Sequence, residues 1–199
     1  MLIGIFGGTF NPPHIGHRKI IEICFSELKS DKVFIIPASI PPHKDMPYKV
    51  ADERKLTMTR LAFGKIPKTE ILDIELVRKG VSYTFDTVKA LVEKYGSHNY
   101  NIIIGTDNFN IIDKWKNIGE LLDVCNFTVF SRSGEKPDLT GQYFYLNHKE
   151  KFNFYNGFNV EISSSKIREY LKNENFNEAR RSLEPEIFNY IMENRIYAD

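Results

Sequence analysis

The 199-residue sequence predicts a doubly wound α/β fold, a parallel sheet covered on both faces, with a small helical C-terminal end. Two observations predict it: short apolar runs are stopped by glycine or proline, and they alternate with stretches whose apolar residues recur at helical spacing. A third, the lack of any repeat, low-complexity tract or linker, predicts one domain over residues 1–199, with 163–199 as a helical subdomain.

Leu2 to Phe6 is apolar and closed by Gly7-Gly8, a buried strand ending in a glycine turn. Over residues 15–28, Ile20, Ile21, Cys24, Phe25 and Leu28 keep helical spacing. The next strand, 33–37, is stopped by Pro37, and a loop rich in proline and lysine follows over 38–50. A helix is expected over 52–63, a third strand over 70–76, and an amphipathic helix over 84–95 with Phe85, Val88, Leu91, Val92 and Tyr95 on one face. Residues 101–104 and 127–131 read as further strands. Residues 140–158 are aromatic and polar without a period and receive no assignment; a short strand is expected at 159–162. Two helical faces close the chain, one through Ile167, Tyr170 and Leu171, the other through Ile187, Tyr190 and Ile191 behind Pro185.

Composition excludes several classes. At 42% hydrophobic and 27% charged, the composition is that of an ordinary soluble globular protein, and the apolar runs are too short to span a bilayer as a helix. Lys+Arg 27 against Asp+Glu 26 leaves no bulk charge to attract nucleic acid or an anionic membrane, so neither is expected as a partner. Cys24 and Cys125 lack the spacing of a zinc or redox motif and read as buried free thiols. With no basic segment ahead of the first strand, no signal peptide is expected, and a reducing cytoplasm is the expected setting.

The first strand-to-helix junction, Gly7-Gly8-Thr9-Phe10-Asn11-Pro12-Pro13-His14-Ile15-Gly16-His17, carries the chemistry. Glycines let the backbone approach a ligand without a Cβ in the way. A helix start offers unpaired N–H groups and a positive dipole end, where phosphates bind. Gly16 keeps that turn open, and His14 and His17, three apart, face one place. A lone histidine in line with Ile20 and Ile21 would read as core; the pair, with glycines at a strand's carboxyl end, points to an anion site.

This stretch resembles the (H/T)xGH signature of the nucleotidyltransferase superfamily, and GGTFxPxHxGH is similar to the opening of bacterial nicotinate mononucleotide adenylyltransferases. Eight fixed positions would match by chance at ~10⁻¹⁰ per start. The resemblance implies a Rossmann-like nucleotidyltransferase fold and adenylyl transfer from ATP to nicotinate mononucleotide in NAD biosynthesis, with Gly8, Thr9, Phe10, His14, Gly16 and His17 on the ATP side. It also extends to later motifs. The run from Ile162 to Arg168 reads by itself as a serine-capped helix; it resembles ISSxxxR, implying that Ser164, Ser165 and Arg168 grip the triphosphate. Ile104-Gly105-Thr106-Asp107 ends a strand and is similar to IGxDxLxxLxxW, implying ATP contacts at Gly105 and Asp107 and a nicotinate platform at Trp115. The segment from Asp73 to Thr87 resembles DIExxRxGxSYTxDT, implying that Thr84 lies near the nicotinate carboxylate. Pro41-Pro42-His43-Lys44 resembles a loop whose lysine faces phosphates, and Arg132 an arginine near the mononucleotide phosphate. The catalytic set implied is His17, His14, Arg168 and Lys44, with Lys44, Thr84, Trp115 and Arg132 on the mononucleotide.

The chemistry needs no enzyme nucleophile, and Mg²⁺ is expected on the ATP phosphates and water, with no protein metal ligand. Partners are ATP and nicotinate mononucleotide; a homo-oligomer stays open. Phosphopantetheine adenylyltransferase shares the first motif and ISSxxxR but should lack the SYTxDT and tryptophan features. An aminoacyl-tRNA synthetase needs a KMSKS-like loop, and a non-catalytic nucleotide-binding module would not need both histidines.

Overall fold

The computed structural model describes residues 1–42, 48–131, 136–158 and 160–198. Among the described residues, six strands form one parallel sheet: β1 (Leu2–Gly8), β2 (Lys32–Pro37), β3 (Thr69–Ile71), β4 (Asn99–Gly105), β5 (Cys125–Phe130) and β6 (Phe152–Tyr155). Their order is β3-β2-β1-β4-β5-β6. The chain winds outward from β1 to β3, then returns to lay β4 on the other side of β1, pairing Leu2 with Asn99 and Ile5 with Ile102. That reversal opens a crevice beyond the carboxyl ends of β1 and β4, where sheets of this kind bind ligands.

Side chains alternate across the sheet with the period of two that a pleated strand imposes. Phe6, Val33, Ile35, Ile103 and Phe130 face one core, shared with α1 (Ile15–Ser26), α2 (Asp52–Phe63), α8 (Ser164–Lys172), α9 (Phe176–Ser182) and α10 (Pro185–Glu193). Ile3, Ile5, Phe34, Ile36, Ile102, Ile104, Phe127 and Val129 face the other, shared with α4 (Thr84–Tyr95), α5 (Thr106–Phe109) and α6 (Ile118–Val124). The C-terminal helices therefore complete a layer of the main core. Burial pushes the thiols of Cys24 and Cys125 up to about 12, so neither is a reactive thiolate at neutral pH. No helix among the described residues is long and apolar enough to cross a membrane.

Several elements differ from the sequence expectation. The strand expected over 70–76 stops at Ile71, and α3 (Ile74–Arg78) follows. The helical turn carries Glu75 inward, where Thr87 Oγ1 donates to it at 2.5 Å; a strand would have kept it in the β2 ladder. The unassigned 140–158 stretch contains α7 (Tyr143–Asn147) and the sixth strand, β6, seated on β5 with Phe127 opposite Phe152. No strand forms over 160–162. The sharp turn after β1 is taken by Phe10, at φ 45°, and not by Gly7 or Gly8. A bulky residue rarely adopts that conformation; here Phe6 and Phe63 hold its ring edge-on, each 5.5 Å away between centroids.

Candidate active site

The crevice is a cleft of about 350 Å³, room for a nucleotide rather than a lone ion. One wall is the junction of β1 with α1. His14 is the N-cap residue of α1, 4% exposed. Its ring stacks on that of His17 with centroids 3.7 Å apart. The backbone N–H of His14 donates to Nδ1 of His17 at 3.2 Å. An N–H can only donate, so Nδ1 is the acceptor and the neutral ring carries its proton on Nε2. The fold thereby selects the tautomer whose donor lies at the ring's far side. Gly16 makes the stacking possible: a Cβ there would meet the His14 ring at 3.0 Å.

Helix α8 supplies the facing wall. Ser163 caps it, accepting from Lys166 N at 3.2 Å. Ser164 donates to the Pro12 carbonyl at 2.8 Å, tying α8 to the first loop. Arg168 donates to the Asn11 carbonyl at 2.7 Å and to Ser165 Oγ at 3.1 Å. Its Nε is buried with no partner among the described residues, so the guanidinium keeps donor capacity on a fixed mount. Gly105 and Asp107 lie at the end of β4, and a Cβ at Gly105 would stand 2.6 Å from Asp107 Oδ1. A side chain at that position would push the carboxylate away from the strand end.

The far end of the cleft is built by α4 and the segment before α6. Thr84 opens α4, whose N-cap residue, Tyr83, makes no side-chain cap, so the first-turn N–H groups lack one. Asp86 in that turn is paired with Lys116 at 2.8 and 2.9 Å, which offsets its charge. Trp115 is half-buried, lines the cleft, and packs edge-on against Phe127 at 6.2 Å. Behind this end, Glu75 is 6% exposed, and burial raises its carboxyl above the ordinary value despite the bonds from Thr87 and Ser82. Ser82 Oγ in turn accepts from Ser39 N at 3.0 Å. Lys55, 1% exposed, donates to the carbonyls of Ala38 and Ser39 at 2.8 and 2.9 Å and pairs with Asp52 at 2.6 Å. Together they fix the chain leaving β2.

Of the residues singled out from sequence, Gly8, Thr9, His14, His17, Gly105 and Asp107 line the cleft. Thr84, Trp115, Ser164, Ser165 and Arg168 line it too. Phe10 does not: it is 1% exposed, and its ring packs 5.1 Å from that of His17. Gly16 lies beneath His14 and likewise does not line the cleft. Lys44 and Arg132 fall outside the described residues. Sequence reasoning missed Asn11, Lys55 and Glu75; for Lys55 a signal existed, since it precedes the buried Met58, Thr59 and Ala62 by three, four and seven residues.

A doubly wound sheet with a paired-histidine helix start at its switch point defines a nucleotidyltransferase-type site, and the cytidylyltransferase-like family model matches residues 5–170. The chain is 40% identical over 174 residues to the "probable nicotinate-nucleotide adenylyltransferase" of Fusobacterium nucleatum, covering 87% of this chain and 89% of that one. It is 35% identical over 195 residues to the protein of that name from Oceanobacillus iheyensis, covering 98% and 96%. In fold it is similar to the Plasmodium falciparum nicotinic acid mononucleotide adenylyltransferase complexed with NaAD, with a TM-score of 0.77 at 19% identity over 98% of this chain and 97% of that one. The chain belongs to the nicotinate-nucleotide adenylyltransferase family of cytidylyltransferase-like proteins.

Proposed function

We propose that the chain transfers the adenylyl group of ATP to nicotinate mononucleotide, giving nicotinate adenine dinucleotide and pyrophosphate, as a step of NAD biosynthesis. The observation that carries this reading is the convergence in one cleft of the His14–His17 helix start with the Thr84–Trp115 end. The first suits a phosphate chain, the second an aromatic acid. ATP enters as its magnesium complex, the ion held by phosphate oxygens and water. A cytoplasmic setting agrees with two cysteines that are free.

In the reaction a mononucleotide phosphate oxygen forms a bond to the α-phosphorus in line. The bond from that phosphorus to the bridging oxygen breaks, and pyrophosphate leaves with the electron pair. No protein atom is covalently used, so catalysis is positioning and charge stabilisation. Nε2–H of His17 donates to the α-phosphate as its charge grows, and His14 holds the ring in place and shares the site. Arg168, Ser164 and Ser165 hold the β- and γ-phosphates, with Gly8, Thr9, Gly105 and Asp107 along the rest of ATP. Lys44 and Arg132 are assigned to phosphates by family resemblance. The first turn of α4 favours an anion through its N–H groups and dipole, which suits the nicotinate carboxylate beside Thr84.

The test is kcat/KM for pyrophosphate release with nicotinate and nicotinamide mononucleotides. The acid is expected to be the better substrate; equal values, or a preference for the amide, would sink the assignment. Trp115→Ala should weaken the mononucleotide by ~1–3 kcal/mol, the scale of base–aromatic stacking, and leave ATP nearly unchanged. Titration calorimetry of each ligand decides it: equal losses would make Trp115 core packing only.

A further inference from the structure

The last described turn of the chain reaches back to its first loop. Tyr197 is 7% exposed and adopts φ 71°. Its hydroxyl donates to Asn11 Oδ1 across 186 residues of sequence. With Oδ1 committed as acceptor, the other end of the amide is Nδ2, and it donates to the Tyr48 carbonyl at 3.1 Å. The Asn11 backbone carbonyl accepts from Arg168. That guanidinium lies 5.6 Å from the Tyr48 ring centroid, and the Tyr48 ring meets the Tyr197 ring edge-on at 6.1 Å. The loop after β1, the chain before α2, helix α8 and the C-terminal turn thus close on one asparagine that is 3% exposed.

Asn11, Tyr48 and Arg168 line the cleft, and Tyr197 does not. We infer that Tyr197 is a positioning residue for the triphosphate side of the site, acting through Asn11; this rests on the adenylyltransferase reading. Its hydroxyl fixes the Asn11 amide, the amide fixes the loop, and the loop's carbonyl aims Arg168 before ATP arrives. Burial raises the Tyr197 hydroxyl above its ordinary value, so it stays a donor at every working pH. A donor in that place is required, because the buried Oδ1 would otherwise be left unpaired.

Tyr197→Phe keeps the ring against Tyr48 and removes one hydroxyl. Kd for ATP, read by calorimetry well below the variant's Tm, should rise about 3- to 10-fold, the scale of one buried hydrogen bond. KM for ATP should rise in step, while KM for the mononucleotide stays within about twofold. Because the effect passes through Asn11, Tyr197→Phe combined with Asn11→Ala should bind ATP no worse than Asn11→Ala alone. A lower Tm with unchanged ATP Kd would mean that the hydroxyl only stabilises the fold, and would overturn the proposal; so would additive losses in the double variant. If Tyr197→Phe does not fold, Asn11→Ala decides: a raised ATP Kd with the mononucleotide unchanged supports the mount, and an unchanged ATP Kd overturns it. A wild type that binds ATP but releases no pyrophosphate would defeat the functional reading instead, and ATP binding would still judge Tyr197.

Discussion

His17→Ala is expected to lower kcat by on the order of 10²–10³, the usual cost of one donor aimed at transition-state charge, while ATP still binds. A donor whose partner becomes more negative during the reaction contributes mainly at the barrier, so the loss falls on kcat. The structure sharpens the choice of a second variant. Nδ1 of His17 accepts the His14 backbone N–H, and an asparagine oxygen can take over that acceptance. His17→Asn should therefore keep the helix start intact, hold Tm near wild type, and recover only part of the rate, since its amide falls short of where Nε2 reaches. Turnover, ATP affinity and Tm measured on both variants separate this from a core role. A core histidine would show lower Tm in both with kcat retained, and a near-normal kcat in His17→Ala would end the mechanistic reading.

The second large effect is on stability. Lys55→Met keeps the aliphatic stem but strips the ammonium from two buried carbonyls, those of Ala38 and Ser39. At ~1–3 kcal/mol for each group left unsatisfied, the expected loss is about 2–6 kcal/mol. Asp52 adds little, because its side chain is 40% exposed and water takes over its charge. Urea unfolding read by linear extrapolation measures the loss. Because Ala38, Pro41 and Pro42 line the cleft, the same variant should bind substrate more weakly at temperatures where it is folded. A loss under about 0.5 kcal/mol, the range of ordinary surface substitutions, would show that the carbonyls find other donors and that Lys55 does not pin this segment.

The order of strands and helices was legible wherever apolar residues kept one period over enough length. Helices α2 and α4 fall on the spans expected, because each carries three turns of consistent spacing bounded by a turn or a helix start. The strand expected at 70–76 failed because an apolar run this short fits either period. Glu75 settled it, by turning in to Ser82 and Thr87, which lie beyond the 70–76 run itself. β6 was invisible for a similar reason: its four residues, Phe-Asn-Phe-Tyr, acquire strand geometry from β5, which they flank.

What the sequence by itself determined is the chemistry of the first junction. Gly7 to His17 prescribes a phosphate-binding helix start with two histidines on one face, since spacing along a helix fixes direction whatever packs around it. The parallel sheet follows from the alternation of elements, and with it the location of the site at the strand ends. Tertiary structure alone decided that Phe10 rather than a glycine makes the turn, and that Asn11, a position the GGTFxPxHxGH pattern leaves unspecified, holds Tyr48, Arg168 and Tyr197 together. Those are contacts between residues up to 186 positions apart. Local patterns encode which face of an element is apolar; which distant donor meets a given acceptor depends on how the layers stack, and that is set only when the whole core closes.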